Sequence, residues 1–336
     1  MNIAFRVDSS DLIGAGHLRR CLRLAGDLKT KNKNIFFITK NSNGNFNALI
    51  KKKKFKVIII KEKQKKNKIL QDINSTIYFC KKLNIETLIV DHYYLNVNWE
   101  KKIKKHIKKL VVIDDFSNNK HYCDLIINNL RKKNLKKTKN LTGLKYVIVP
   151  SVFSNKKNRK RNNKKLTIGT FFGSTDRANC SERLLKVFKK KEFVNFNFIS
   201  ILGKNNKNKE RIKKFYKKNK NIYIEKNFIK MENFFRKIDI LITVGGMTAF
   251  EAMLNNVKCI YIPINYYQKT TCKFLRKKKI SNVMSYSEIF GKNGKKKLIN
   301  CINKVYKEKN CLEDKIKFDH LGSKRIANYI SENKFN

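Results

Sequence analysis

The sequence predicts an α/β protein made of two doubly wound parallel-sheet units, and three observations lead there. Short β-rich apolar runs alternate with longer segments whose apolar residues recur at helical spacing. A polar, charged stretch interrupts this alternation, which then restarts. Glycine-rich or polar turns stand at the ends of several runs, where open α/β sheets bind their ligands.

In chain order the first unit opens with "NIAFRV" (2 to 7), then "NIFFIT" (34 to 39), "FKVIII" (55 to 60), "TLIVDH" (87 to 92) and "LVVIDD" (110 to 115). Runs with so few polar interruptions are expected to be parallel strands covered on both faces. Between them, "HLRRCLRLAGDLK" (17 to 29) and "WEKKIKKHIKKL" (99 to 110) carry apolar residues at helical spacing. After "YVIVP" (146 to 150) comes "SNKKNRKRNNKK" (154 to 165), which offers nothing to a core and is expected to be a linker. The pattern resumes with "LTIGTFF" (166 to 172), "FNFISIL" (196 to 202), "IYIE" (222 to 225), "DILITV" (239 to 244) and "KCIYIPI" (258 to 264). The expected division is residues 1–153, linker 154–165 and 166–336, the two units facing a central cleft that holds a shared ligand.

Composition narrows the function. A chain of 336 residues that is 41% hydrophobic can bury substantial cores, so it is a folded protein. Its formal net charge of +54 would ordinarily suggest a polyanionic partner. The charge, however, is lysine spread along the whole chain among abundant Asn and Ile, so no specific nucleic-acid site is expected, only salt-sensitive nonspecific affinity for anions. Eight cysteines show no C-x-x-C spacing, which argues against a zinc knuckle or a redox pair and for reduced, mostly buried thiols. The N-terminus lacks the features of a secretory signal, and no window approaches the roughly 18 apolar residues of a membrane span. A cytoplasmic monomer without an integral membrane segment is expected.

Three turns could carry chemistry: "DSSDLIGAGH" (8 to 17), "FFGSTD" (171 to 176) and "VGGMTAFEA" (244 to 252). A glycine-rich turn opening a helix offers unpaired N–H groups and a positive dipole end to a phosphate. Each alone is often only a tight turn; three at strand ends favour a phosphate-bearing ligand. Glu251 lies one to two turns into the helix after Gly245 and Gly246, where it can reach ribose hydroxyls or sit as an ordinary surface carboxylate. His17 stands directly behind Gly14 and Gly16. A helix N-terminus disfavours imidazolium, which leaves a neutral ring able to take a proton from water. An isolated histidine there would simply pack on the turn, but Asp8, Ser9 and Ser10 at the strand end tilt the reading to catalysis. In "IVDHYYL" (89 to 95), His92, Tyr93 and Tyr94 are expected to project towards His17, Tyr93 either orienting water or a sugar hydroxyl or packing at the rim. His106, His121 and His320 are assigned no chemistry. No carboxylate cluster suggests a metal, and no cofactor is expected.

The segments "FRVDSSDLIGAGHLRRCLRLA", "IVDHY", "FFGSTD" and "VGGMTAFEAMLNNVKCIYIP", in this order, resemble the UDP-2,4-diacetamido-2,4,6-trideoxy-β-L-altropyranose hydrolases (PseG) of pseudaminic acid biosynthesis. The likeness runs to about residue 275; its first motif is specific, and the others are shared with GT-B glycosyltransferases such as MurG. It implies a GT-B fold of two Rossmann-like domains, with UDP on the C-terminal one and the sugar and reacting water on the N-terminal one. His17 matches the general base and Tyr93 a tyrosine of the sugar site. Glu251 matches the ribose-binding glutamate, while Gly173, Ser174 and Thr175 with Gly246, Met247 and Thr248 match the diphosphate and uridine region. Ser10, Gly14 and Gly16 are placed with the substrate. The family's Asn-Gln pair is altered here: after Pro263 the chain reads "INYYQ", keeping Gln268, with Asn265 or Tyr267 where the asparagine is expected.

The implied reaction is water attack at the anomeric carbon with inversion, UDP leaving and His17 acting as base, with a flagellar or cell-surface glycan as the pathway's destination. A GT-B glycosyltransferase with the same UDP site and an acceptor hydroxyl is the alternative. A nonenzymatic polyanion binder is a third reading, opposed by the diffuse lysines and the lack of an aromatic RNA-binding motif.

Overall fold

The computed structural model describes residues 1–61, 67–116, 119–130, 138–150, 165–217, 219–225, 230–277, 282–308 and 318–332. The expected linker, apart from Lys165, lies outside them. The chain divides into two compact units, 1–149 with 320–336, and 150–319.

The first unit runs β1 (Asn2–Val7), α1 (Gly16–Lys29), β2 (Asn34–Lys40), α2 (Asn47–Lys52), β3 (Lys56–Ile60), α3 (Lys68–Lys82), β4 (Ile85–Asp91), α4 (Val97–Lys104), β5 (Lys109–Ile113), β6 (Leu125–Asn128) and β7 (Lys139–Thr142). The strands form one parallel sheet in the order β3-β2-β1-β4-β5-β6-β7. Side chains alternate between its faces, so Ile3, Phe5 and Val7 join Leu18, Cys21, Leu24 and Leu28 of α1, while Ala4 joins Leu88, Val90, Trp99 and Ile103 on the other side. Burying each large side chain is worth about 1.5–3 kcal/mol, which explains why both faces read as apolar. Arg6 breaks the pattern. Fully buried, it is satisfied by Asp8 and by Asp72 of α3, and Asp72 also accepts from Trp99 Nε1 at 3.1 Å.

The second unit comprises β8 (Leu166–Phe171), α5 (Cys180–Phe188), β9 (Phe196–Ser200), α6 (Lys209–Tyr216), β10 (Ile222–Ile224), α7 (Met231–Lys237), β11 (Ile240–Thr243), α8 (Met247–Leu254), β12 (Lys258–Tyr261), α9 (Tyr266–Lys277), β13 (Asn282–Val283), α10 (Tyr286–Phe290) and α11 (Gly294–Lys307). Its parallel sheet has the order β10-β9-β8-β11-β12-β13. Both sheets are parallel with intervening helices, the α/β architecture that the alternation predicts.

Three features differ from the sequence reading. Strands β6, β7 and β13 escaped it because they have only four, four and two residues, and "KNLT" of β7 carries the polar side chains an edge strand tolerates. Helix α4 stops at Lys104 rather than 110, because Lys109 already begins β5. The linear division 166–336 fails at its end. Helix α12 (Gly322–Ser331) packs in the first unit, its Ile326, Ala327 and Ile330 joining the core beside α1.

His121, assigned no chemistry for want of acidic company, has two buried carboxylates around it. Glu100 Oε1 lies 2.8 Å from Nδ1 and Asp114 Oδ2 3.3 Å from Nε2. Burial alone would lower the proton affinity of this ring, but the hydrogen bonds and charges of Asp114 and Glu100 prevail and push its pKa up to about 9. A pKa raised by folding stabilises fully below the unfolded value near 6.5, and that stability fades as pH rises through about 9. His121→Asn is therefore expected to be less stable than the parent by about 2 kcal/mol below pH 6.5, the gap closing above about 9. Urea unfolding of both proteins across this range measures it; a gap constant with pH contradicts the assignment.

Candidate functional site

The first unit assembles its polar site at the carboxyl end of the sheet. After β1 the chain makes a tight loop. Ser10 Oγ accepts from the backbone N–H groups of Leu12 and Ile13, Ser10 O accepts from Gly14 N at 2.7 Å, and Gly14 has φ +79°, which favours glycine. Helix α1 starts at Gly16, where a Cβ would meet nothing within 4 Å, so the fold itself does not demand glycine there. His17 is next and is buried.

What meets His17 is set by strand order. β4 is hydrogen-bonded to β1 with Asp91 opposite Val7, and Asp91 Oδ1 lies 2.5 Å from His17 Nδ1. Three residues further along α1, Arg20 presents the same helix face. Its Nε lies 2.5 Å from Asp91 Oδ2, its Nη2 2.6 Å from Asp91 Oδ1, and its Nη1 2.7 Å from Asp115 Oδ1, just beyond β5. Tyr93 closes the circuit, donating to Asp115 Oδ2 at 2.8 Å while its ring stands edge-on to the His17 ring at 4.2 Å between centroids. Burial would raise the Asp91 carboxyl, but the Arg20 charge beside it and the hydrogen bonds from Arg20 and His17 hold it far below the usual carboxylate range. Burial and the neighbouring Asp115 push the Tyr93 phenol well above its ordinary value, so it stays protonated.

An ionised Asp91 at Nδ1 makes that nitrogen the donor and leaves the lone pair on Nε2. Among the described residues Nε2 has no hydrogen-bond partner. The ring is thus oriented with its lone pair at one defined atom, by a carboxylate rather than by the helix field alone. His92, expected to project towards His17, is tied elsewhere. Its Nε2 is paired with Asp8 Oδ2 at 3.1 Å and its Nδ1 accepts from Tyr94 N, so both nitrogens are committed to holding the loop.

In the second unit the turns after β8 and β11 are neighbours, since these strands pair with Phe171 opposite Thr243. Gly173 has φ +85°. A Cβ on Gly203 would lie 2.2 Å and 2.3 Å from the carbonyl oxygens of Gly173 and Ser174, so the loop after β9 is pressed against Gly173 and Ser174. Asp176 takes up the amides of Cys180 and Ser181 at 2.9 Å each. The start of α5 is therefore capped by its own chain, and any anion contact here falls to the loop 173–175.

The start of α8 is different. Gly246 is its N-cap without a side chain to cap it, a Cβ there would meet nothing within 4 Å, and the amides of Met247 and Thr248 have no partner among the described residues. Ala249, Phe250, Ala252 and Met253 face the core, which puts Thr248 and half-buried Glu251 on the opposite side, one turn apart. Gly245 is fixed by packing, since a Cβ would stand 2.4 Å from Cys272 Sγ of α9. The altered segment after Pro263 caps α9: Asn265 Oδ1 accepts from Gln268 N and Gln268 Oε1 accepts from Ile264 N, both at 2.9 Å. Both side-chain oxygens serve the helix, leaving their amide N–H groups for other contacts.

Sequence reasoning missed Asp91, Arg20, Asp115 and Gly203. The signal for the first was present, because Asp91 ends a buried strand in "TLIVD", where a charge has no packing reason to be. Seven of the eight cysteines lie among the described residues as free thiols, six of them buried. No helix among the described residues is long and apolar enough to cross a membrane.

Residues 167–330 match the glycosyltransferase family 28 C-terminal domain. Over 99% of this chain and 71% of the relative, the sequence is 29% identical to an uncharacterized protein of Methanocaldococcus jannaschii. It is 26% identical to the UDP-2,4-diacetamido-2,4,6-trideoxy-β-L-altropyranose hydrolase of Campylobacter jejuni, over 83% of this chain and 97% of that one. Among solved structures it is similar to Acinetobacter baumannii MurG, with a TM-score of 0.74 at 16% identity over 98% of this chain and 99% of the other. With two parallel α/β sheets and these structural neighbours, the chain has the GT-B glycosyltransferase fold.

Proposed function

We propose that this protein is an enzyme acting on a UDP-sugar, and that it hydrolyses UDP-2,4-diacetamido-2,4,6-trideoxy-β-L-altropyranose to UDP and the free sugar. The observation that carries the reading is the His17–Asp91 pair: a buried ring, donor side bound, base side without a partner among the described residues. A hydrolase of a substrate with so good a leaving group needs little more than one aimed water and one base. In the reaction, Nε2 takes a proton from water as its oxygen attacks C1, the C1–O bond to UDP breaks, and the electron pair leaves on the diphosphate. Attack opposite the leaving group inverts C1. Asp91 holds the imidazolium that forms.

In this reading the second unit holds UDP, the open amides of Met247 and Thr248 and the loop 173–175 meeting the diphosphate and Glu251 the ribose. Ser10, Gly14, Gly16 and Tyr93 line the sugar, and Gln268 contributes through its amide N–H. The name carried by the Campylobacter relative supports the sugar assignment, and the protein is proposed to work as a cytoplasmic monomer in pseudaminic acid biosynthesis.

The match to a glycosyltransferase domain favours a second reading, transfer of the sugar to an acceptor hydroxyl by the same base. Incubation with the UDP-sugar alone in oxygen-18 water separates them. Hydrolysis is expected to release UDP without acceptor and to place the label in the sugar. Turnover only with an added acceptor establishes transfer, and label in UDP contradicts attack at carbon.

A further inference from the structure

We propose that Arg20 is a positioning residue that keeps His17 available as a base, gripping Asp91 on one side and Asp115 on the other. The inference rests on His17 being the base. It begins from a physical difficulty in the geometry. A buried carboxylate 2.5 Å from Nδ1 orients the ring, but left alone it also favours imidazolium, which has no lone pair to offer water. The dyad needs the orientation without the full pull of the charge.

Arg20 supplies both. Its planar fork binds both oxygens of Asp91, which fixes the carboxylate plane and leaves Oδ1 towards His17 Nδ1; a lysine point charge cannot impose that plane. Its cation stands against the same carboxylate, with Nη2 only 3.2 Å from His17 Nδ1, and so opposes a second positive charge on the ring.

The groups facing His17 are few. From α1 come Arg20 and, through its contact with Asp91, Cys21, whose thiol is pushed up by burial and stays neutral; from β4 comes Asp91; from the segments after β4 and β5 come neutral Tyr93 and Asp115. Around an uncharged His17 the formal sum is one cation against two carboxylates. Removing Arg20 makes the surroundings more negative; neutralising Asp115 makes them less so. The two changes act on the ring with opposite sign. If Arg20 merely neutralised buried acids to hold the fold, both would cost stability and neither would move the ring in a direction set by charge.

The test is nitrogen-15 NMR titration of the histidine rings in the intact protein, which has five histidines, His17 being identified by the signal lost in His17→Asn. Relative to the parent, Arg20→Gln is expected to raise the His17 titration midpoint by about one pH unit or more, a tenfold change in proton affinity, and Asp115→Asn to lower it. Arg20→Lys, which keeps charge but not the fork, is expected between parent and Arg20→Gln, with the Nδ1–H tautomer less populated. The acid limb of the kcat/KM profile should follow the same order. Midpoints that stay put, or that move the same way in Arg20→Gln and Asp115→Asn, overturn the proposal. Should Arg20→Gln fail to fold, the Asp115→Asn shift still decides the sign. The NMR readout needs no substrate, so a protein that turns over no UDP-sugar would defeat the hydrolase reading while the ring midpoints still judge Arg20.

Discussion

Replacing His17 with Asn is expected to lower turnover of the UDP-sugar by about 10²- to 10⁴-fold, the range general base catalysis contributes, with the protein still folded and still binding UDP. The Asn side chain has no basic nitrogen at the position of Nε2, so the attacking water keeps its proton until late in the displacement. The fold survives because Asp91 retains both Arg20 bonds, and so no buried charge is left unpaired. UDP affinity is expected to be preserved because the proposed nucleotide contacts belong to the second unit. His17→Leu should behave alike, since packing at that site is not what is being tested. Steady-state kinetics with calorimetric titration of UDP measures both parts; near-normal hydrolysis by either variant refutes the role of His17.

The fold was legible where burial dictates composition. Strands such as β1 and β4 are covered on both faces, so their sequences have little freedom to be anything but apolar, and their positions follow from the run alone. Where an element lies at a sheet edge the constraint lapses, and β7 with Lys139 and Asn140 reads as loop. Helix α12 illustrates a different limit. Its apolar face is readable, but which unit it covers depends on where the chain returns, which no local pattern encodes.

The candidate site was legible in part for the same reason. His17 stands out because it follows a glycine turn in the company of Asp8, Ser9 and Ser10, while Asp91, Arg20 and Asp115 become a site only once β1, β4 and β5 are neighbours in the sheet. Periodicity fixes which face a residue takes, not which strand lies alongside. The loop 171–176 shows the converse limit: its glycine and polar residues suggested an anion-binding helix start, but Asp176 within the same motif satisfies the amides of Cys180 and Ser181, which leaves the loop 173–175 rather than the helix start as the candidate contact. A motif can hold its own cap.

Asp91→Asn is expected to be the most damaging conservative change in the first unit, because it attacks chemistry and stability together. The amide can turn either its oxygen or its NH₂ to His17. When NH₂ faces the ring, Nδ1 becomes the acceptor and Nε2 carries the hydrogen, which removes the lone pair from the nitrogen proposed to act as base. In a Ser-His-Asp triad the same substitution costs about 10⁴ in kcat, and a loss of 10²- to 10⁴-fold is expected here. Stability falls as well, since Arg20 loses one of its two carboxylates in a buried setting, a change worth about 3 kcal/mol with Asp115 still in place. The pH dependence has a definite sign. Folding lowers the proton affinity of Asp91, so its contribution is present above the ordinary carboxylate range and is lost as pH falls below it. The stability gap between parent and variant should therefore be widest near neutrality and narrow in acid, as urea unfolding at several pH values would show. His17→Asn and Asp91→Asn then form a diagnostic pair: the first loses turnover with the fold intact, the second loses both. If Asp91→Asn keeps turnover close to that of the parent, the ring is not oriented by this carboxylate, and the base assignment loses its physical support.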